Sequence, residues 1–348
     1  MKAVLLPSWK SEPQLVEVDV PTAGPGQVVL KIAGAGLCHS DLHLLHDFEE
    51  GMLPWHVPFI LGHENSGHVH AVGEGVDTVA VGQAVAVHGS WGCGRCPACL
   101  RGQDTYCVAP LDGHDSAFGG GLGTDGGQAE YMLVPDPRFL VPIPDALDPV
   151  AAAPLTDAGL TPYHAVKLSV AKMVPGSRVV VIGAGGLGHM GIQIIKAISA
   201  ADVVAVDVKP AAMELARKSG ADVVLDGSAE DIVAQIKEAT HGGAEVVLDF
   251  VGTDATLATA AQSCKYQSDL TLVGVAGGSF AFNLYAPPYE TAMRSIYWGT
   301  RSELGEVLAL AARGLITPEY RTYSLDNALA AYADMEAGKL TGRAVITP

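Results

Sequence analysis

The sequence predicts an α/β protein in which a doubly wound parallel sheet follows a β-rich first part. From residue 151 to residue 286, β-branched runs such as RVVVIG and EVVLDFVG alternate with helical patterns. Such alternation is typical of a parallel sheet with helices on both faces. Over residues 1–150, short β-rich runs such as QVVLKIAGAG and AEYMLVP are broken by Gly and Pro, which is typical of a compact, partly barrel-like domain. The length of 348 residues suits two domains.

Composition and charge exclude several classes of protein. Hydrophobic residues make up 49% of the chain and charged residues 17%, so a globular fold is expected. The 38 acidic against 21 basic residues give a net charge of −17, which argues against nucleic acid or an anionic membrane surface as a partner. The first residues, MKAVLLPSWK, contain too short an apolar run for a signal peptide, and no stretch is typical of a membrane span. We therefore expect a cytoplasmic protein.

A glycine-rich turn opens the alternating region. The run RVVVIGAGGLGHMGIQIIK predicts a strand, a tight turn and a helix, and its glycines fit G-x-G-x-x-G. A helix that begins at such a turn offers unpaired N–H groups to a pyrophosphate. Asp207 ends the next β-run, 24 residues after Gly183, where a carboxylate can bind the ribose hydroxyls and would repel a 2′-phosphate. The turn residues predicted to bind NAD are Gly183, Gly185, Gly186, Leu187 and Gly188.

Four cysteines lie close together in WGCGRCPACLRGQDTYC. Cys93, Cys96, Cys99 and Cys107 have the spacing C-x2-C-x2-C-x7-C. Four thiolates can surround one Zn²⁺ tetrahedrally and leave no open position, so the zinc would be structural. An iron–sulfur centre is the alternative, because its ligand spacing can look similar.

A second set of potential metal ligands is dispersed along the chain. Cys38 lies in GLCHSDLH, His63 and Glu64 lie in LGHENSGHV, and Asp157 lies in PLTDAGLTPYHA. A mixed donor set with an open position is typical of a catalytic zinc. Taken singly, each residue has a plainer interpretation as a buried thiol, a core histidine or a helix cap, and spacing alone does not join them.

The motifs CHSDLH, GHENSGHVHAVGEGV and VIGAGGLG, together with the four-cysteine run, resemble those of the zinc-dependent medium-chain alcohol dehydrogenases. The resemblance covers nearly the whole chain in order. It implies a GroES-like catalytic domain over residues 1–150, completed by residues 287–348, and a Rossmann NAD-binding domain over residues 151–286. It also implies two zinc ions per chain, one catalytic and one structural, and a homo-dimer or homo-tetramer.

Site residues follow from the same resemblance. Cys38, His63 and Asp157 would hold the catalytic zinc, with Glu64 beside it as an occasional ligand and Asp41 orienting the histidine. Many members of the family have cysteine at the position of Asp157. The aspartate therefore puts the affinity for the catalytic zinc in question, but not the role of this position as a ligand. Ser40 would take the alcohol proton and His43 would deliver it to solvent. Other cofactor contacts would come from His39, Thr161, Gly252, Val275, Trp298 and Arg343, the last to phosphate. The substrate pocket would be lined by Trp55, Leu122, Tyr297 and Trp298.

The function expected from these residues is reversible hydride transfer between NAD and hydrophobic, secondary alcohols, giving ketones or aldehydes. Two alternatives stay open, a polyol or amino-alcohol dehydrogenase of the same superfamily and a non-catalytic NAD-binding protein. A zinc-ribbon nucleic-acid binder is disfavoured by the net charge of −17.

Two local features carry structural expectations only. The stretch FGGGLGTDGG, residues 118–127, predicts a flexible loop because of its glycines. Ser228 and Asp231 predict a capping box at the start of a helix.

Overall fold

The computed structural model describes residues 1–108 and 118–348. The described residues form two compact units. The first comprises residues 1–160, 298–313 and 318–348, and the second comprises residues 161–297 and 314–317. From the sequence, the corresponding changes were placed at residues 150/151 and 286/287.

The described residues contain sixteen strands and ten α-helices. The strands are β1 (Lys2–Leu6), β2 (Gln14–Glu17), β3 (Val28–Leu37), β4 (Phe59–Ile60), β5 (Glu64–Val72), β6 (Ala84–Val87), β7 (Tyr131–Val134), β8 (Leu140–Pro142), β9 (Arg178–Ile182), β10 (Asp202–Asp207), β11 (Val223–Asp226), β12 (Ala244–Asp249), β13 (Cys264–Leu272), β14 (Ala292–Ser295), β15 (Tyr320–Ser324) and β16 (Arg343–Thr347). The helices are α1 (His39–His46), α2 (Pro97–Leu100), α3 (Pro149–Ala152), α4 (Leu160–Ser169), α5 (Gly188–Ile198), α6 (Pro210–Lys218), α7 (Ile232–Ala239), α8 (Asp254–Ser263), α9 (Arg301–Ala312) and α10 (Ala328–Glu336).

The second unit is built on a six-stranded parallel sheet with the order β11-β10-β9-β12-β13-β14. This is the strand order of a dinucleotide-binding fold, whose ligand lies at the carboxyl ends of the strands where the order reverses. The central strands are buried on both faces, as their runs of valine predict, and Val180 and Val247 are fully inaccessible. The predicted doubly wound parallel sheet is confirmed.

The first unit contains two β-sheets. One has seven strands, with β15-β16-β3-β5-β6-β8 in order and β7 pairing with β3, and the other has the order β2-β1-β4. All of these pairs are antiparallel except β15 with β16. Leu30, Met132 and Phe139 pack into the core on the large sheet. The predicted β-rich domain is confirmed, and residues 320–347 add two strands to its sheet.

Both local expectations are wrong. Most of residues 118–127 are buried, and backbone hydrogen bonds from Gly126 to Ile60 and from Gly127 to Gly62 hold this stretch against the neighbouring chain. The glycines therefore permit close packing rather than flexibility. Ser228 donates to the Asp226 carboxylate instead of capping a helix, and α7 begins at Ile232 without a side-chain cap.

Candidate active site

Four of the five cysteines of the first unit form one cluster, and we call residues 93–107 the four-cysteine lobe. Cys96 Sγ lies 3.5 Å from Cys99 Sγ and 3.9 Å from Cys107 Sγ. A tetrahedral zinc with bonds of about 2.3 Å requires sulfur–sulfur separations of about 3.8 Å, so the geometry fits the metal. Backbone N–H groups, that of Cys99 first, lower the pKa of Cys96 to about 6, which favours the thiolate that binds metal.

The dispersed ligands also meet in the first unit. Cys38 is the N-cap residue of α1, His63 precedes β5, Glu64 begins β5, and Asp157 follows a 3-10 turn. One ligand atom from each of these four residues lies within 4.8 Å of the others. Asp157 Oδ2 is 3.6 Å from Cys38 Sγ and 3.9 Å from His63 Nε2. The fold therefore joins residues that spacing alone did not.

A buried carboxylate supports two of these ligands. Asp41 Oδ2 accepts a hydrogen bond of 2.9 Å from the backbone N–H of Cys38, and Asp41 Oδ1 lies 3.3 Å from His63 Nδ1. Burial lowers the pKa of His63, but the facing Asp41 carboxylate outweighs it and raises that pKa well above its usual value. Asp41 thus lies where it can orient the imidazole and leave Nε2 facing the cluster.

Arg343 lies against the same cluster. Its Nη2 is 2.8 Å from Glu64 Oε1, 3.4 Å from Cys38 Sγ and 3.5 Å from Asp157 Oδ2. The side chain is only 4% exposed. The register of β16 on β3 pairs Ala344 with Leu37 and so brings Arg343 opposite Cys38. Its predicted phosphate contact stays a prediction.

Charge and hydrogen bonding at the cluster fit a divalent cation. Burial raises the pKa of Glu64 well above its usual value, and both of its carboxylate oxygens are buried without a well-aligned hydrogen bond from a described residue. The cluster combines one thiol, two carboxylates and one imidazole with a single guanidinium. A dication would supply the positive charge that this acidic set lacks.

The residues predicted to relay the proton lie on α1. Ser40 Oγ is 3.2 Å from His63 Nε2, next to the ligand cluster. His43 Nδ1 pairs with the Asp47 carboxylate at the protein surface. His39 is exposed. α1 therefore carries the Ser40 hydroxyl at the cluster and, at His43, an imidazole that reaches solvent.

The predicted pocket residues separate into two groups. Trp55 and Leu122 are buried, and Trp55 packs on Trp9 and on Phe118, with ring centroids at 6.5 and 4.8 Å. The ring of Trp298 contacts His63 edge-to-face with centroids 5.8 Å apart. No pattern in the sequence indicates that Trp9 and Phe118 belong to this aromatic cluster.

Tyr297, by contrast, belongs to the second unit and is 38% exposed. The remaining predicted cofactor residues of that unit differ in burial. Thr161 is 7% exposed, Val275 is 67% exposed, and Gly252 has a positive φ of 80°. Their contacts to NAD stay predictions.

The glycine turn of the second unit has the geometry that its motif requires. Gly183 has a φ of 84°, and a Cβ at Gly188 would lie 1.8 Å from the Gly183 carbonyl oxygen, so neither position tolerates a side chain. A Cβ at Gly185 would meet no atom within 4 Å, which leaves open space beside the turn. Gly186 lies in this turn, and Leu187 is the N-cap residue of α5. The turn offers a concave backbone surface of the kind that binds a pyrophosphate.

Asp207 lies beside this turn. Its Oδ2 accepts a hydrogen bond of 2.8 Å from the N–H of Ala184, and its Oδ1 accepts one of 2.8 Å from the N–H of Lys209. The carboxylate is therefore fixed at the carboxyl end of β10, the position predicted to bind ribose.

In the part of the chain that the structure describes, no helix has the length and apolar character needed to cross a membrane. The six cysteines all lie among the described residues and form no disulfide bond.

The first unit holds a four-cysteine cluster and a mixed-donor cluster, and the second unit holds a dinucleotide-binding turn. Together these features are those of a zinc-binding dehydrogenase. Residues 24–145 match the model of the alcohol dehydrogenase GroES-like domain, and residues 186–313 match that of the zinc-binding dehydrogenase domain. An NAD-dependent alcohol dehydrogenase of Sulfurisphaera tokodaii is 35% identical over 100% of both chains.

Solved structures agree. An alcohol dehydrogenase from Aeropyrum pernix has a TM-score of 0.91 and 35% identity over 100% of both chains. An acetophenone reductase from Geotrichum candidum, solved in complex with NAD, has a TM-score of 0.86 and 34% identity over 100% of this chain and 97% of its own. The chain belongs to the zinc-dependent medium-chain alcohol dehydrogenase family. The predicted family, fold and enzyme class are confirmed.

Proposed function

We propose that the protein is an NAD-dependent dehydrogenase that interconverts hydrophobic, secondary alcohols with ketones and holds two zinc ions per chain. The observation that carries this proposal is the pairing, within one unit, of the four-cysteine lobe with a mixed-donor cluster of Cys38, His63 and Asp157. Four thiolates close a coordination shell, whereas three mixed ligands leave a position for substrate. When bound there, zinc lowers the pKa of an alcohol toward neutrality, and NAD accepts the hydride.

The chain's own residues bind, orient and deprotonate the alcohol. Cys38, His63 and Asp157 hold the metal, and Asp41 fixes the imidazole so that Nε2 faces the cluster. Ser40 Oγ, 3.2 Å from His63 Nε2, accepts the alcohol proton while it gives its own hydroxyl proton to the relay that leads to solvent. His43, on the same helix and in contact with solvent, releases that proton to water.

Aromatic and aliphatic side chains favour an apolar substrate. The Trp298 ring lies against His63, and Trp55 and Leu122 are buried in the same unit. An apolar wall of this kind offers few partners for the hydroxyls of a sugar or a polyol, so it favours alkyl and aryl carbinols. The acetophenone reductase, which shares 34% identity, supports this choice of substrate class.

The test is turnover of a panel of alcohols with NAD, followed by absorbance of the reduced cofactor. We expect aryl and alkyl secondary alcohols to exceed polyols and amino alcohols in kcat/KM. Higher efficiency with polyols would reassign the substrate, and no turnover with any alcohol by zinc-replete protein would favour the non-catalytic NAD-binding function.

The same proposal includes a homo-dimer or homo-tetramer in the cytoplasm. Phe282, Leu284 and Tyr285 of the second unit are 70–80% exposed, which is unusual for adjacent large apolar side chains and supports burial against another copy. Free cysteines are typical of a reducing compartment. Light scattering of the purified protein measures the assembly, and a monomer at micromolar concentration would contradict it.

A further inference from the structure

Trp298 has an unusual backbone conformation beside the ligand cluster. Its φ is +55°, in the left-handed region that large side chains rarely adopt. A residue persists in such a conformation only when its surroundings hold it there, and such residues concentrate at functional sites. The contacts that hold Trp298 therefore bear on the cluster that it touches.

The indole of Trp298 contacts two parts of the ligand set. Its Nε1 donates a hydrogen bond of 2.8 Å to the carbonyl oxygen of Thr156, the residue directly before Asp157. Its ring packs edge-to-face on His63. The indole also fills the space beside Gly89, where a Cβ would lie 1.9 Å from the ring. Any rotation of the Trp298 backbone would thus disturb the surroundings of both ligands.

The chain directly after Trp298 is held by the four-cysteine lobe. The Gly299 carbonyl oxygen accepts a hydrogen bond of 2.9 Å from Thr105 Oγ1 and lies 2.9 Å from His88 Nε2. Thr105 lies in the 3-10 turn between Cys99 and Cys107.

The preceding residue of that turn adds a second attachment. Asp104 is fully buried and accepts hydrogen bonds from Arg301 Nε at 2.9 Å and from Arg138 Nη1 at 3.0 Å. Arg301 begins α9, so the lobe fixes the start of that helix as well as the carbonyl of Gly299.

Of the two side chains at the Gly299 carbonyl oxygen, Thr105 is the one that always donates a hydrogen bond. Both ring nitrogens of His88 face carbonyl oxygens, Nε2 that of Gly299 and Nδ1 that of Ser90 at 3.0 Å. Burial lowers the pKa of His88, and a neutral imidazole has a single N–H, which serves one carbonyl at a time. The Thr105 hydroxyl, by contrast, faces one acceptor and donates to it throughout.

We propose that Thr105 of the four-cysteine lobe is a positioning residue that holds Gly299, keeps Trp298 in its left-handed conformation and thereby fixes His63 and Asp157 in the catalytic ligand set. The inference rests on the proposed function, because it assigns to these ligands the catalytic metal. It gives the four-cysteine lobe a role in the chemistry as well as in folding.

The test compares Thr105→Val with Thr105→Ser and with Thr240→Val. Thr240 is a matched control, since it is also buried and its Oγ1 donates to the Ile236 carbonyl within the second unit. Each variant is loaded with cobalt, and the absorption of the Cys38 cluster is isolated by subtracting the spectrum of Cys38→Ser. Cobalt bands report ligand geometry and do not require turnover.

We expect Thr105→Val to keep its four-cysteine metal, to shift the cobalt bands of the Cys38 cluster and to lower kcat by about tenfold to a hundredfold, as misplacement near 1 Å does. KM for NAD should change little. Thr105→Ser should restore the bands and kcat, and Thr240→Val should lose stability without altering either. Bands and kcat at wild-type values in Thr105→Val would overturn the inference.

Trp298→Phe covers the case in which Thr105→Val fails to fold, because it removes the Nε1–H and keeps a ring beside His63. The same band shift supports the inference, and unchanged bands overturn it. Failure of the proposed function looks different, since zinc-replete wild-type protein would then be inactive on every alcohol even where Thr105→Val shifts the cobalt bands.

Discussion

Replacement of Asp207 by glycine should erode the preference for NAD over NADP that we expect of the second unit. An ionised carboxylate accepts about four hydrogen bonds, and Asp207 uses one on each oxygen, from Ala184 and Lys209. Two acceptor positions remain for the ribose hydroxyls of NAD. Each such charge-assisted bond is worth about 1.5–3 kcal/mol.

NADP loses these bonds and brings its 2′-phosphate against the carboxylate. A net difference of about 3 kcal/mol corresponds to a preference for NAD of about a hundredfold in kcat/KM. The flexible Lys209 ammonium offsets little of the repulsion, because a lysine lacks the bidentate geometry of arginine. Asp207→Gly should erode the preference mainly by weakening NAD, since it also releases the N–H of Ala184 in the glycine turn.

The assay measures kcat/KM for both cofactors at saturating alcohol. Asp226→Asn is the control, because Asp226 ends the neighbouring strand β11 in register with Asp207 and binds only its own turn at Ser228. The control should keep the preference. Equal efficiencies of NAD and NADP in the wild-type protein, or an unchanged preference in Asp207→Gly, would refute the assignment of Asp207 to the ribose.

Three further predictions address metal, proton and stability. Cys96→Ser should lower both zinc content and the unfolding midpoint, whereas Cys38→Ser should abolish turnover in a folded, NAD-binding protein; metal analysis that found iron and sulfide, or one zinc in active enzyme, would contradict this. His43→Ala should keep both metals and lose rate by about a hundredfold, chiefly at acidic pH where hydroxide cannot replace the base. A pH–rate profile identical to wild type would remove His43 from the relay. Burial opposes ionisation of Asp269, but the hydrogen bonds from Lys172 and Ser169 and the charge of Arg294 together outweigh it and hold the pKa of Asp269 below its usual value. This carboxylate therefore stabilises the fold above its unfolded pKa of about 4 and loses that contribution as the pH falls through its folded pKa. Asp269→Asn should lower the free energy of unfolding by about 2 kcal/mol at neutral pH. That free energy, measured by denaturant unfolding, should then fall less steeply as the pH is lowered than it does in the wild-type protein. A pH dependence parallel to that of the wild type would contradict the pairing.

Local chemistry made much of the molecule predictable. The glycine turn is specified by positive φ at Gly183 and by the close approach of Gly188 to Gly183, both of which only glycine satisfies. The four-cysteine lobe is equally local, because its ligands lie within fifteen residues of one another. The runs of valine in the parallel sheet also predict, without further information, strands that are buried on both faces.

The wrong prediction at residues 118–127 shows where composition misleads. Glycine is common in flexible segments and also where two backbones touch, and single-sequence composition does not separate the two. Here a Cβ at Gly121 would lie 2.4 Å from the backbone of Gly62, directly before His63. The glycines therefore serve to pack the chain that carries a proposed metal ligand.

The surroundings of the ligand cluster could not be predicted from the sequence, because they depend on pairing between strands that are far apart in the chain. Arg343 is 305 residues from Cys38, and only the antiparallel register of β16 on β3 brings its guanidinium to the thiol and to Glu64. From the sequence, Arg343 is a cation suited to phosphate, whereas the fold buries it among acidic groups. A buried cation beside the metal ligands offsets their negative charge while it also limits how strongly they attract a second cation. The sequence motif thus identifies the ligands, but the strand register decides the electrostatic field in which they work.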